Sequence, residues 1–464
     1  MKETVIQFGE GNFLRGFFDW FLDGLNKKGL YEGKTVIVQP RAGGKVASLN
    51  EQGCKYNLYL RGIEDGQVKE EHSFIESVSR CIDPYKCFDE YLSLADNPDL
   101  RFVVSNTTEA GIAFDETCKA DDMPCTSFPG KLTQLLYKRY KNGMKGFIFL
   151  PTELIDNNGD ALKKCVLQYA ELWKLEDGFV GWINTENTFS NTLVDRIVTG
   201  FPKDDAENIY TKLDYRDALL DTAEPFFFWA VEINEKWKEI FPADKSGLDV
   251  VFCDDISSYK TRKVRILNGA HTVSVLGAFL AGYDIVLEMM NDEMFNEFIL
   301  NTIDEEIIPF INLPEKEKND FKNAVIERFK NPFIKHKLLD ISLNSVSKFK
   351  ARCLPSLLDN IKNNKFPKKL LFGLACLISF YNGEFEDGKF FGIRNDEKYE
   401  IRDDITVLEF VHNAYKKDNT VELILGNKDF WGIDLSEFNG VTEFVSDALK
   451  SIETDGVKKA MELL

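Results

Sequence analysis

The opening stretch restricts the fold more than any other part of the chain. Thr4-Val5-Ile6-Gln7-Phe8 reads as a short apolar strand that breaks at Gly9-Glu10-Gly11, and Asn12 to Leu22 reads as a helix with aromatic residues on its buried side. A strand, a Gly-x-Gly turn and a helix form the phosphate-binding corner of a dinucleotide fold. Gly9 permits the tight turn and Gly11 lets the backbone approach a pyrophosphate. The helix start, with Asn12 and Phe13 in its first turn, offers N–H groups and the positive end of the dipole. Leu14 stands where the usual fingerprint has a third glycine, so an ordinary turn is the competing reading.

Further strands follow at the spacing of an α/β fold. Thr35 to Gln39 is the second, and it ends in Gln39-Pro40-Arg41 where an acidic residue would take the ribose hydroxyls of NAD. Arg41 suits a 2′-phosphate, which leaves NAD and NADP both open. Arg101 to Asn106 is a third strand; Thr107 and Glu109 behind it are candidate cofactor contacts, with a helix N-cap by Thr107 or Thr108 as the alternative. Gly146 to Pro151 repeats the pattern, and a helix is expected from about Ala161 to Trp173. Phe179 to Asn184 reads as a strand that delivers Asn187 and Asn191, whose amides could donate to a developing oxyanion or simply form turns.

After Tyr215 the alternation fades. Glu224 to Trp237 looks like an aromatic-rich helix or docking segment, and Val250 to Phe252 like a short strand. From Tyr259 the chain reads as mostly helical, with helices expected over 292–311, 315–329, 356–363, 368–381, 403–416 and 441–463. The expected fold is therefore α/β: a Rossmann-type dinucleotide-binding domain over residues 1–257, then a mostly α-helical domain over 258–464 that carries the substrate chemistry. A chain of 464 residues is too long for one ordinary core, which agrees with two domains.

The second domain opens on Lys263-Val264-Arg265-Ile266-Leu267-Asn268-Gly269-Ala270-His271. At 100° per residue, Lys263, His271 and Asn268 fall at about 0°, 80° and 140°, so their heads can converge on one side of a helix. Such a trio could hold and deprotonate an alcohol; a solvated lysine on a polar turn is the bland reading. Burial near other cations moves a lysine toward neutrality, and Arg262 and Arg265 are the candidate neighbours.

Composition excludes several classes. A formal charge of −19 opposes nucleic-acid binding. The apolar stretches Val273–Tyr283 and Leu370–Tyr381 fall short of the ~18 residues of a bilayer span. Nine cysteines without a C-x-x-C pair and without a secretory signal point to reduced thiols in the cytoplasm. The four histidines show no metal-ligand spacing, so no catalytic metal is expected.

Five stretches together resemble the polyol-specific long-chain dehydrogenase/reductase family, the mannitol dehydrogenase relatives. They are Gln7 to Arg15, Asn106 to Gly111, Leu150 to Ile155, Asn191 to Ile197, and Lys263 to Thr272, in family order across both halves. The Gln7–Arg15 and Asn191–Ile197 forms resemble the uronate branch of that family. The resemblance implies hydride transfer between NAD(H) and a sugar acid derived from a hexuronate, without a metal. It implies Lys263 as general acid and base, with Asn268, His271 and Asn187 at the reacting oxygen.

A uronate carries a carboxylate, and Lys348 and Arg352, at i,i+4 on one helical face, are the candidate cations; Asn191 is a further substrate contact. A related fructuronate or polyol dehydrogenase stays open, as does a nucleotide-sensing protein without turnover. The partner is in each case a small molecule, a sugar acid or ketose for the enzymes. Oligomeric state is not legible.

Overall fold

The computed structural model describes residues 1–233 and 235–464. The chain divides into two compact units, Met1–Ile256 and Ser257–Leu464.

The first unit is built on a six-stranded sheet in the order Val78–Ile82, Lys34–Val38, Glu3–Phe8, Phe102–Ser105, Ile148–Pro151, Thr188–Phe189. Every neighbouring pair in it is parallel. Alternation places Ile6, Phe8, Val103 and Phe149 on one face, against the helices Phe128–Lys141 and Asn158–Leu172. Val5, Val104 and Leu150 line the other, against Leu14, Phe17, Phe18, Phe21 and Trp229. Both faces are thus covered, as a parallel sheet requires. Register aligns Phe8 with Val38 and Ser105, and Ser105 with Pro151, so Gly9, Gln39, Asn106 and Thr152 emerge together at the carboxyl edge. Strand order reverses between Glu3–Phe8 and Phe102–Ser105, where such sheets bind ligands.

Two stretches fold differently from their sequence reading. Residues 179–184 are not a strand but part of the helix Asp177–Glu186, because Phe179 and Ile183, one helical turn apart, are the two fully buried side chains. Across the described part of 224–237 the expected aromatic helix does not form, apart from a 3-10 turn from Glu235; Asn234 lies outside the described residues. Phe228–Glu232 is the middle strand of a second sheet, antiparallel to Thr192–Asp195 and parallel to Asp249–Cys253, and Trp229 is fully buried there.

A hairpin, Tyr56–Glu64 with Gln67–Ile75, escaped the sequence reading although it carries a signal. Asp65 and Gly66 both have positive φ, 53° and 72°, which is the two-residue turn that an Asp-Gly pair favours.

The second unit is helical, as expected, apart from the antiparallel meander Gly383–Glu386, Lys389–Arg394, Glu397–Ile401. Its turns are again Asp387-Gly388 and Asn395-Asp396 with positive φ. The buried helix Gly269–Leu280 packs on Lys368–Phe380, and Gly373 makes the approach possible: a Cβ there would lie 2.8 Å from the Val273 carbonyl oxygen. No helix among the described residues is long and apolar enough to cross a membrane.

Candidate active site

The dinucleotide corner forms as its glycines demand. Gly9 has φ +126°, its N–H donates to the Val38 carbonyl at 3.2 Å, and a Cβ would sit 2.9 Å from the Asn106 carbonyl oxygen. At Gly11 a Cβ would meet nothing within 4 Å, so the turn opens onto free space above the helix start, as a cofactor phosphate needs. The helix runs on from Asn12 through a π-turn at Arg15–Asp19 to Lys27. Backbone rather than side chains is what this start offers a ligand. The Asn12 side chain accepts from Arg15 at 2.7 Å, and Phe13 stacks on Phe17 with centroids 5.1 Å apart.

Arg41 is exposed at the end of the second strand, with no ion pair or side-chain hydrogen bond among the described residues. Glu109 is exposed too. Thr107 is committed: its N–H and hydroxyl both donate to Glu153, each at 2.9 Å. It caps no helix, and Thr108 is left-handed with φ 75°; the next helix is capped by Ser127. Glu153, to which the sequence reading assigned no role, also accepts from the Ser105 hydroxyl at 3.0 Å. Burial raises its carboxyl above the ordinary range despite these donors, so the clamp across two strand ends is held by a costly buried acid.

Asn187 lies at the wrong end of the sheet for catalysis. Thr188 pairs with Ile148, so Asn187 precedes the strand at its amino edge. There it accepts from the Phe147 N–H at 2.8 Å and donates to the Trp182 carbonyl at 3.0 Å, closing the edge of the sheet. The expectation that Asn187 reaches the reacting oxygen is corrected on that ground. Asn191 stands at the carboxyl edge, and its amide donates to Asp160 at 3.1 Å and to Glu232 at 2.7 Å.

In the second unit, Ser257–Arg262 continues without a break into a π-turn over Lys263–Asn268 and then into Gly269–Leu280. The π-turn changes the angles assumed from sequence. Its wider i→i+5 turn narrows the gap of about 140° that an α-helix would leave between Lys263 and Asn268. Lys263 is half-buried, and Asn268 is half-buried with no side-chain hydrogen bond among the described residues. Arg265, expected as a neighbour of the lysine, is itself paired: Asp359 takes its guanidinium at 2.6 Å. Arg262 is buried over the Phe321 ring, 4.4 Å from its centroid.

His271 is the best-defined member of the site. Its ring stacks on Phe329, centroids 3.9 Å apart and planes 11° apart, and meets His336 edge-on at 5.5 Å. Its Nε2 is shut off from solvent with no hydrogen-bond partner among the described residues. Burial first, then His336, Arg328, Arg352 and Lys348, hold its pKa well below the ordinary value, so the imidazole is neutral. Lys348 and Arg352 do share the helix Ser345–Arg352. Arg352 donates to the Thr272 hydroxyl at 3.4 Å and Lys348 to the Ile341 carbonyl at 2.9 Å. Burial lowers the pKa of both, and for Lys348 the neighbouring guanidinium adds to it. The structure thus brings His271, Lys348 and Arg352 into one neighbourhood, and adds His336, Arg328 and Phe329. These arrive from separate segments, so no local spacing announces them.

Residues 3–242 match the mannitol dehydrogenase Rossmann domain and residues 255–453 the mannitol dehydrogenase C-terminal domain. The chain is 44% identical over 476 residues to altronate oxidoreductases of Escherichia coli, including strains K12 and O7:K1, covering 100% of this chain and 97% of theirs. Among solved structures, a D-sorbitol dehydrogenase in substrate-free form superposes with a TM-score of 0.85 at 21% identity, over 99% of this chain and 95% of that one. The ternary complex of Pseudomonas fluorescens mannitol 2-dehydrogenase with NAD and D-mannitol gives 0.70 at 22%, over 100% and 94%. These two show the fold, and the sequence matches span both halves. The chain belongs to the mannitol dehydrogenase family of NAD-dependent oxidoreductases.

Proposed function

We propose that the chain interconverts tagaturonate and altronate: tagaturonate + NADH + H⁺ ⇌ altronate + NAD⁺. The observation that carries the acid substrate is the cluster of Arg328, Lys348 and Arg352 around a neutral His271. Half-buried cations one helical turn apart suit a carboxylate, which a neutral polyol lacks. Full-length relatedness to altronate oxidoreductases supports the same reading.

The Gly9–Phe13 corner would hold the pyrophosphate through its backbone N–H groups. NAD, when bound, supplies or accepts the hydride. The chain's part is to manage the substrate oxygen and its proton. In reduction the ketone oxygen gains negative charge. The Asn268 amide, without a side-chain hydrogen bond among the described residues, donates to it, and neutral His271 donates a second hydrogen bond without adding charge. Lys263 delivers the proton, and takes it back in oxidation. Arg352, with a planar fork of donors, grips the carboxylate, and Lys348 adds a point charge beside it. The proton chemistry is thereby assigned to Lys263, with no metal ion in the reaction.

The test is NADH consumption with tagaturonate, fructuronate and fructose. The highest kcat/KM is expected with tagaturonate. Preference for fructose would make the protein a polyol dehydrogenase, and tight NADH binding without turnover on any of the three would make it a nucleotide sensor.

A further inference from the structure

Away from the residues above, the first unit gathers two thiols and a carboxylate. The ligand atoms of Cys118, Asp122 and Cys125 all lie within 4.8 Å of one another. The loop that carries them is tied down from several sides. The Lys119 N–H donates to the Asp122 carboxylate at 2.7 Å. Gln134, on the helix Phe128–Lys141, donates to the Ala120 and Asp122 carbonyls and accepts from the Cys125 N–H. The Trp173 indole donates to the Cys118 carbonyl at 3.0 Å. With the loop so held, an ion would find its ligands already in place, and little ordering would oppose its binding.

The charges are arranged for the same occupant. Lys131, fully buried, donates to the Cys125 and Thr126 carbonyls at 2.7 Å each and to the Tyr85 hydroxyl at 3.0 Å, and its charge is felt by both thiols. Two thiolates and a carboxylate around a divalent cation leave one net negative charge, which the Lys131 ammonium balances. Thiolates favour zinc over hard cations such as magnesium or calcium.

We propose that Cys118, Asp122 and Cys125 form a structural zinc site, with water or the adjacent Asp115 carboxylate as fourth ligand. Binding takes both cysteines as thiolates, and their two protons leave to solvent. The ion clasps the loop to the start of the helix Phe128–Lys141. It takes no part in hydride transfer, and the site stands independently of the proposed substrate.

The full-length protein, reduced and stripped of metal, is titrated with cobalt(II) as a spectroscopic stand-in. One equivalent is expected to give a thiolate-to-cobalt charge-transfer absorption in the near ultraviolet with the intense visible bands of tetrahedral cobalt, both displaced by zinc. Cys118→Ser and Cys125→Ser each lose the absorption, while Cys87→Ser, at an exposed thiol elsewhere, keeps it. Asp122→Asn, which leaves both thiols in place, weakens cobalt binding roughly 10–100-fold. NADH binding by each preparation confirms that it is folded. No charge-transfer absorption in the parent protein, or its survival in both serine variants, overturns the proposal.

Discussion

The imidazole of His271 lies flat against the ring of Phe329, with centroids 3.9 Å apart, while its Nε2 is closed off from solvent. One face of the ring is thereby fixed by an apolar neighbour, and the edge of His336 closes another side. A histidine so held presents its ring nitrogens in a fixed direction as a neutral group. Phe329→Leu keeps the site apolar but removes the flat support. It is expected to lower kcat/KM about tenfold, equivalent to about 1.4 kcal/mol, with little change in NADH affinity. Steady-state kinetics alongside NADH titration checks it; an unchanged kcat/KM would show that the stack does not position the imidazole.

The carboxylate assignment predicts a split between substrates. Arg352→Ala and Lys348→Ala should each raise KM for tagaturonate by an amount worth roughly 1.5–3 kcal/mol, the range for hydrogen bonds to charged groups, and leave KM for fructose nearly unchanged. Equal effects on both substrates would remove the carboxylate role.

Asp19 gives the first unit a pH dependence of its own. It is fully buried on the helix that starts at Asn12, where burial raises its pKa to about 7 against the hydrogen bonds from Gln7 and Tyr56 and the charge of Arg15. Its unfolded value is about 3.9, so folding favours the protonated acid. As pH rises from about 4 to 7 the folded state must either keep that proton or bury a charge, and stability is lost across this window. Asp19→Asn should therefore stabilise the protein increasingly from pH 4 to 7 and then level off, with about 4 kcal/mol as the ceiling. Urea unfolding of both proteins across pH measures it. A stability difference that is flat in pH would place the Asp19 pKa at its ordinary value.

Much of this was legible because it rests on local patterns. Short apolar runs ending in small polar residues marked Glu3–Phe8, Phe102–Ser105 and Ile148–Pro151, and Gly9 marked the turn that only a glycine fits. Lys348 and Arg352 were picked out by helical spacing together with the carboxylate that a uronate carries, and they do lie on one helix, Ser345–Arg352. Other parts depend on tertiary partners. Phe179 to Asn184 is apolar enough for a strand, and only its packing against the sheet as a helix makes Phe179 and Ile183 the buried pair. Asn187 was placed near the reacting oxygen by motif, and the register of Thr188 against Ile148 puts it at the other edge. Arg196, in one of the family-like stretches, turns out to tie elements together: it donates to the Glu224 and Gly16 carbonyls and lies 4.1 Å from the Trp20 ring centroid. Its reach from one element to another has no trace in residue spacing.

The account rests on Lys263 as the group that gives and takes the substrate proton. The most direct measurement is kcat for tagaturonate reduction by Lys263→Ala as a function of pH, with NADH affinity measured in parallel. The expected result is a fall in kcat of about 10²–10⁴-fold, the usual contribution of a positioned acid–base group, with NADH binding unchanged. A variant that turns over at close to the parent rate across the pH range would contradict the central assignment.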